Sequence, residues 1–586
     1  MLSLNYANDS LLPEYALRIL EERYLLSHEK SPQEAFARAA KAFSDSPEMA
    51  QRVYEYASQL WFMFSTPILS NGGSERGLPI SCYLNYVADS REGLTSHYTE
   101  NAFLSSLGGG IGSYWGDVRS VGTMTSKGSQ STGIIPFIKV VDSEILAFNQ
   151  GVTRRGSYAA YLDIDHPEIL EFLDIRKPSG GDSNRRSLNI HHGVILSDEF
   201  MEKIEKAGQD PNYDDSFALI DPHSKNISEV VSAKDLWIKI LQNRMETGEP
   251  YILFKNSVEK AQPIYHKEKN LKVRQSNLCS EITLPTNEER TAVCCLSSVN
   301  LEKWHEWKDH PHFIPDLIRF LDNVIHDFIT KAPPALCRAV KSAFLSRDLG
   351  LGAMGWHSLL QQMNIPFESA VAKSLNNSIF SHIKQQAVDA TRAIAEEKGE
   401  APDAKGYGVR NAHLLAIAPN ASSSIICGNT SPGVEPFRAN TFSQKTLSGT
   451  HVIKNKYLRA VLQEKQKDTK EVWESIINNF GSVQHLDFLS SSEKAVFKTA
   501  MEIDQRWIIE LAADRQKYVC QSQSINIFLP ADINKRELHG VHLMAWKKGL
   551  KSLYYCRSEA IKRADNVSSS SRKEVKDFEV CLACEG

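Results

Sequence analysis

Apolar residues recur at helical spacing through positions 12–26. Ser31-Pro32-Gln33-Glu34 then sets a capping hydroxyl before a proline and an acid, the pattern of a capping box at a helix start. Ser46-Pro47-Glu48 opens another helix in the same way. From about residue 64 the texture changes. Short apolar runs at 193–197, 251–254 and 524–530 are expected to be buried strands, and the stretches 370–398 and 493–513 are expected to be helices. This alternation predicts a large α/β unit over 64–560, preceded by a helical region over 1–63. No internal repeat is found. The last segment, 561–586, holds four consecutive serines followed by charged residues and Cys-Leu-Ala-Cys-Glu-Gly. Its composition predicts a flexible tail with the dithiol Cys581 and Cys584 at its tip.

Composition narrows the function classes. The chain has 586 residues, 42% of them hydrophobic, enough for a sizeable core. A net charge of −4 gives no support to a general nucleic-acid or membrane-surface role. No apolar run reaches the length of a membrane span, and the N-terminus has no basic segment followed by an apolar core. Ten cysteines in a chain this long are not a disulfide scaffold, so a reducing cytoplasm is expected. Individual cysteines are then buried apolar groups or chemical tools.

The cysteine with the most suggestive neighbours is Cys279, in Ser276-Asn277-Leu278-Cys279-Ser280-Glu281-Ile282. An extended backbone would send Asn277, Cys279 and Glu281 to one face. A thiyl radical there could take a ribose 3′ hydrogen while the carboxylate takes the 3′-OH proton and the amide orients the hydroxyls. Three fixed positions also fit a buried thiol with unrelated polar neighbours. The terminal Cys-x-x-Cys suits thiol–disulfide exchange. It is also half of a zinc site, but no second pair at that spacing exists, so no metal is expected. The glycine-dense run 105–112, with Gly109 and Gly110, lets backbone approach a ligand, but lacks the Gly-Lys-Ser/Thr of a phosphate loop. Taken alone, Tyr554 and Tyr555 are core residues.

In combination and in order, these segments resemble the large, catalytic subunit of class I ribonucleotide reductases. Further matches are Gly350-Leu351-Gly352-Ala353-Met354-Gly355 and Gln521-Ser522-Gln523-Ser524-Ile525-Asn526. The resemblance runs from about residue 12 to the end. It implies a ten-stranded α/β barrel of two antiparallel-related five-stranded halves, with the radical cysteine on a loop inside. Cys279 would carry the thiyl radical, Glu281 would be the base and Asn277 would bind substrate. The segments 78–82 and 292–297 match those holding the family's reductant pair. Cys295 neighbours Cys294, and the match to Cys-x-Leu-Ser/Gly selects Cys294 as partner of Cys82. Tyr554 and Tyr555 match the relay that brings an oxidising equivalent from a second subunit. Cys581 and Cys584 match the terminal shuttle pair.

The same resemblance assigns substrate contacts to Thr66, Ser81, Gly109, Gly110, Ser422, Ser423 and Ser424. Family members differ from this chain at Asn420 and Ala421. Effector contacts fall on Asp89, Arg119, Arg154 and Arg155, with a deoxynucleoside triphosphate or ATP as ligand. No covalently bound cofactor is implied; the radical would come from a separate metal- or tyrosyl-radical small (beta) subunit. Thioredoxin or glutaredoxin, nucleoside diphosphates and a second copy of the chain are the other expected partners. The activity-switching ATP-cone of many relatives is expected to be missing. Two alternatives stay open: a cobalamin-dependent reductase of similar barrel, and a catalytically inert nucleotide-binding regulator.

Overall fold

The computed structural model describes residues 2–148, 156–446, 449–530 and 533–558. Three helices, Glu14–Arg23, Pro32–Ala42 and Pro47–Ser58, form the N-terminal region. The Ser31 hydroxyl caps the second by accepting the Gln33 N–H at 3.1 Å. The reciprocal half of the expected capping box is not made. Glu34 instead accepts the Lys30 N–H at 2.7 Å, one residue before the cap.

The central sheet has nine strands: β1 Phe62–Phe64, β2 Cys82–Tyr86, β3 Gly110–Tyr114, β4 Ser157–Asp163, β5 His191–Leu196, β6 Tyr251–Phe254, β7 Ala292–Asn300, β8 Leu349–Met354 and β9 Ser552–Leu553. Strands β2 to β6 are mutually parallel. At one edge β7 runs antiparallel to β2, and at the other β9 runs antiparallel to β6. β8 lies parallel to β7. From β8 the path continues through single bridges, Leu351 to Leu415 and Ile417 to Gln523, and then from Tyr554 N to Ile525 O at 2.8 Å. The ten-strand count remains an expectation, because nine strands are assigned and the remaining links are isolated bridges.

These strands are buried on both faces, as a parallel sheet covered by helices must be. Alternation sorts them. Tyr83, Val293 and Cys295 point into the main core, whereas Cys82, Leu84, Ala292, Cys294 and Leu296 pack in a separate inner cluster with Ile282, Leu284, Ala416 and Ala418. The helix expected over 370–398 is found as Ala370–Lys398. The one expected over 493–513 is two helices, Ser491–Val496 and Gln505–Gln516. Ser490 makes a full capping box with Glu493, and Asp504 caps a fresh start by accepting the Arg506 N–H. No described helix is long and apolar enough to cross a membrane.

Candidate active site

Segment 277–281 is a turn, not the extended strand expected from the sequence. Ser280 N–H reaches Asn277 O at 3.4 Å, and Ser280 sits in the left-handed region at φ +67°. Alternation therefore does not align the three side chains; hydrogen bonds fix the backbone of the loop that carries them. Asn277 Oδ1 accepts the N–H groups of Glu281 and Ile282 at 3.1 and 3.2 Å. Ser524 Oγ donates to Cys279 O at 2.5 Å and lies 3.3 Å from Glu281 Oε2. Ser552 Oγ donates to Ser280 O, and Tyr161 OH to Asn277 O, both at 2.7 Å. Asn277, Cys279 and Glu281 are each 1–2% exposed. Burial of this kind protects a radical from solvent.

The loop approaches β3 so closely that a side chain there has no room. A Cβ on Gly112 would lie 1.9 Å from Ser276 O and 2.8 Å from Asn277 Cα. The family resemblance points to Gly109 and Gly110 of this glycine run rather than to Gly112. At Gly109 a Cβ would meet Leu104 O at 2.8 Å, so that glycine serves packing of β3 on its own helix.

Cys82 and Cys294 are direct cross-strand partners where β2 meets β7. Opposed residues in an antiparallel ladder have Cα atoms about 4.5–5.5 Å apart, inside the range a disulfide spans. Both are free thiols here. Cys295 points to the other face, which separates the two adjacent cysteines. Burial pushes the Cys294 thiol well above the ordinary range, and a hydrogen bond from Gln521 works against that shift. A narrow cleft lined by Ser65, Pro67, Pro79, Ser81 and both cysteines opens beside the pair. The Thr66 hydroxyl sits 3.1 Å from Tyr24 OH, and Ser81 O accepts the Gly110 N–H at 2.6 Å. Ser422, Ser423 and Ser424 are buried in the short helix Ala421–Ile426. Asn420 before them takes φ +52° and exchanges hydrogen bonds with Ser298 on β7, at 2.9 and 3.2 Å.

Cys279 shares a second inner cluster with Tyr554, Tyr555, Tyr251 and Tyr161. The Tyr554 and Tyr555 ring centroids are 4.3 Å apart, and Tyr251 lies 4.8 and 5.1 Å from them. Arg557 stacks on Tyr555 at 4.0 Å, and Tyr555 OH lies 3.4 Å from His191 Nδ1. His191 in turn contacts the buried Glu249 at 2.5 Å. Burial opposes the Glu249 charge, but His191 and Arg176 hold its carboxyl well below the usual range. Isolated in sequence, Tyr251, His191 and Glu249 carry no motif; only the fold assembles them.

At the candidate effector loop, Arg119 Nε meets Asp89 at 2.9 and 3.0 Å, and Ser90 caps the helix Arg91–Ser106. Two unforeseen acids shape the loop. Asp221 accepts from Ser120 N, Ser120 Oγ and Thr123 Oγ1 at 2.7–2.9 Å. Glu168 accepts the Val121 and Ile134 N–H groups at 3.2 and 3.0 Å, and burial pushes its carboxyl up to about 7. A carboxyl raised on folding adds stability below its unfolded value near 4.3, and that stability is lost as pH rises through about 7. Glu168→Gln is expected to flatten this part of the stability–pH curve, measured by urea unfolding between pH 4.5 and 8. An unchanged slope contradicts the assignment. Arg154, Arg155, Cys581 and Cys584 lie outside the described residues. Among the described residues, no group of three or more His, Cys, Asp or Glu side chains could hold a metal ion.

Residues 10–77 match the family model for the ribonucleotide reductase all-alpha domain, and residues 80–406 and 401–556 match that for the ribonucleotide reductase barrel domain. A Frog virus 3 (isolate Goorha) chain assigned to the large subunit of ribonucleoside-diphosphate reductase is 47% identical over 94% of each chain. The ribonucleoside-diphosphate reductase large subunit of Invertebrate iridescent virus 3 is 43% identical over 100% of both. Among solved structures, the alpha subunit of the Actinobacillus ureae class Id ribonucleotide reductase superposes with a TM-score of 0.82 at 38% identity, covering 95% of this chain and 98% of that one.

Proposed function

Since the chain belongs to the large-subunit family of ribonucleotide reductases, we propose that it reduces ribonucleoside diphosphates to 2′-deoxyribonucleotides by thiyl-radical chemistry. The observation that carries this is the joint burial of three redox elements. Cys279 packs with Tyr554 and Tyr555, and the next residues of its loop, Ile282 and Leu284, pack with Cys82 and Cys294. An oxidant from a small subunit withdraws an electron from Cys279 through Tyr554 and then Tyr555. Each phenol gives up its proton with the electron, since a charged radical in a dry cluster is too costly.

Cys279 takes the 3′ hydrogen, Glu281 assists at the 3′-OH and Asn277 holds the hydroxyls. Water leaves from C2′, and Cys82 with Cys294 supplies two electrons as their sulfurs join. Cys581 and Cys584 reduce that disulfide and are themselves restored by thioredoxin or glutaredoxin. The diphosphate is held by Ser422, Ser423 and Ser424, and the sugar end lies by Thr66, Ser81 and Gly110. A nucleoside triphosphate effector binds around Asp89 and Arg119, with Arg154 and Arg155. The exposed apolar residues Phe103, Val140, Leu146 and Phe148, on and beside two packed helices, support a homodimer. A cytoplasmic setting fits the thiol chemistry.

The test is reduction of the four substrates with the cognate small subunit, with and without effectors. Deoxynucleotide formation dependent on both subunits is expected, and Tyr554→Phe or Tyr555→Phe abolishes it while nucleotide binding persists. Turnover with adenosylcobalamin and no small subunit selects the cobalamin-dependent reading instead.

A further inference from the structure

Gln521 is fully buried, and its side chain joins three separate parts of the interior. Nε2 lies 3.3 Å from Cys294 Sγ and donates to Leu349 O at 2.9 Å. Oε1 accepts the Thr283 N–H at 3.2 Å, two residues beyond Glu281. Its backbone is fixed as tightly. Gln521 N–H donates to Leu415 O at 3.1 Å, and Gln521 O accepts from Lys551 Nζ at 2.6 Å and Gln516 Nε2 at 2.9 Å. Lys551 is a buried cation, and burial pulls its ammonium down to about 8. Its second contact is Cys520 O at 2.5 Å, so it clamps the peptide that presents Gln521. Gly350 also leaves room at the sulfur; a Cβ there would stand 3.1 Å from Cys294 Sγ.

We propose that Gln521 is the hydrogen-bond donor that stabilises the Cys294 sulfur when it leaves as a thiolate, while tethering that sulfur to the radical-bearing loop. The proposal rests on Cys82 and Cys294 being the reductant pair and deepens it. On oxidation two S–H bonds break, one S–S bond forms, and two electrons and two protons pass to the substrate carbon and the departing water. On recovery, an incoming dithiol attacks; the pair's S–S bond breaks, the dithiol closes its own, and its two protons restore both thiols. Whenever Cys294 is the leaving sulfur it departs as a thiolate, from a position that is only 1% exposed. An amide N–H is then the available stabiliser. A thiolate accepts such a bond strongly, a thiol weakly and a disulfide more weakly still. Gln521 therefore favours the reduced pair.

The test is a redox titration of the full chain against dithiothreitol, with the Cys82–Cys294 disulfide counted by peptide mapping after alkylation. Gln521→Met is expected to favour oxidation about tenfold, a potential about 30 mV more negative. Cys294 alkylation at pH 9 is expected to slow by about tenfold as the thiolate is destabilised. Gln521→Glu keeps the size and the acceptor facing Thr283. Its potential is expected to match the parent where the acid is protonated and to diverge as pH rises. Disulfide equilibrium constants within twofold of the parent for Gln521→Met, and for Gln521→Glu at every pH tested, with nucleotide binding intact, overturn the proposal. Should the parent form no Cys82–Cys294 disulfide at all, the reductant assignment itself fails, which is a different result.

Discussion

Cys279→Ser is expected to abolish deoxynucleotide formation, by more than about 10⁴-fold, or about 5.4 kcal/mol at 1.36 kcal/mol per decade. A serine hydroxyl has nearly the size of the thiol, and the main-chain carbonyl that receives Ser524 is untouched. The loop should therefore keep its shape. What changes is the bond to be broken: an alcohol O–H is too strong for a neighbouring phenoxyl radical to oxidise. Nucleotide affinity and the ability of Cys82 and Cys294 to form a disulfide should stay as in the parent. The measurement is product formation with the cognate small subunit, paired with calorimetric nucleotide binding. Activity above about 1% of the parent, two decades from the expected loss, would falsify the radical assignment.

Gly112→Ala should damage the same chemistry from a distance. Its methyl would stand 1.9 Å from Ser276 O, where real contacts essentially never fall below 3.0 Å, so the loop must retreat by about 1 Å. Overpacking of this kind destabilises by about 1–3 kcal/mol, and a displacement of about 1 Å at reacting groups can cost about 10²-fold in rate. A drop of that size in kcat with effector binding retained is the expected outcome. Gly208→Ala is the control, since nothing lies within 4 Å of a Cβ there. Equal activity in the two variants would show that the close approach is not needed.

Local physics made several elements legible in the sequence. The helix Ala370–Lys398 and the strand Tyr251–Phe254 were legible because their apolar patterns run unbroken. The motifs around Cys279, Cys82 and Tyr554 were recognisable as a set. What escaped was set by tertiary contacts. The turn at Ser280 depends on Ser524, Ser552 and Tyr161, which arrive from distant segments. The division of 493–513 into two helices turns on the caps Ser490 and Asp504, which the apolar pattern overrode. Asp221 and Glu168 are single acids whose partners are backbone amides of another loop. No spacing rule finds such pairs.

The seam between β2 and β7 bears on how the proposed reductant pair would be recharged. Cys82 and Cys294 are 4% and 1% exposed, and they face each other from strands hydrogen-bonded on the interior of the fold. A folded protein the size of a thioredoxin cannot bring its own thiol to either sulfur without prising the seam apart. Only something slender can enter, such as a single unfolded strand or a small-molecule dithiol. Electron supply to the proposed reductant pair would thus be gated by thickness as well as by potential.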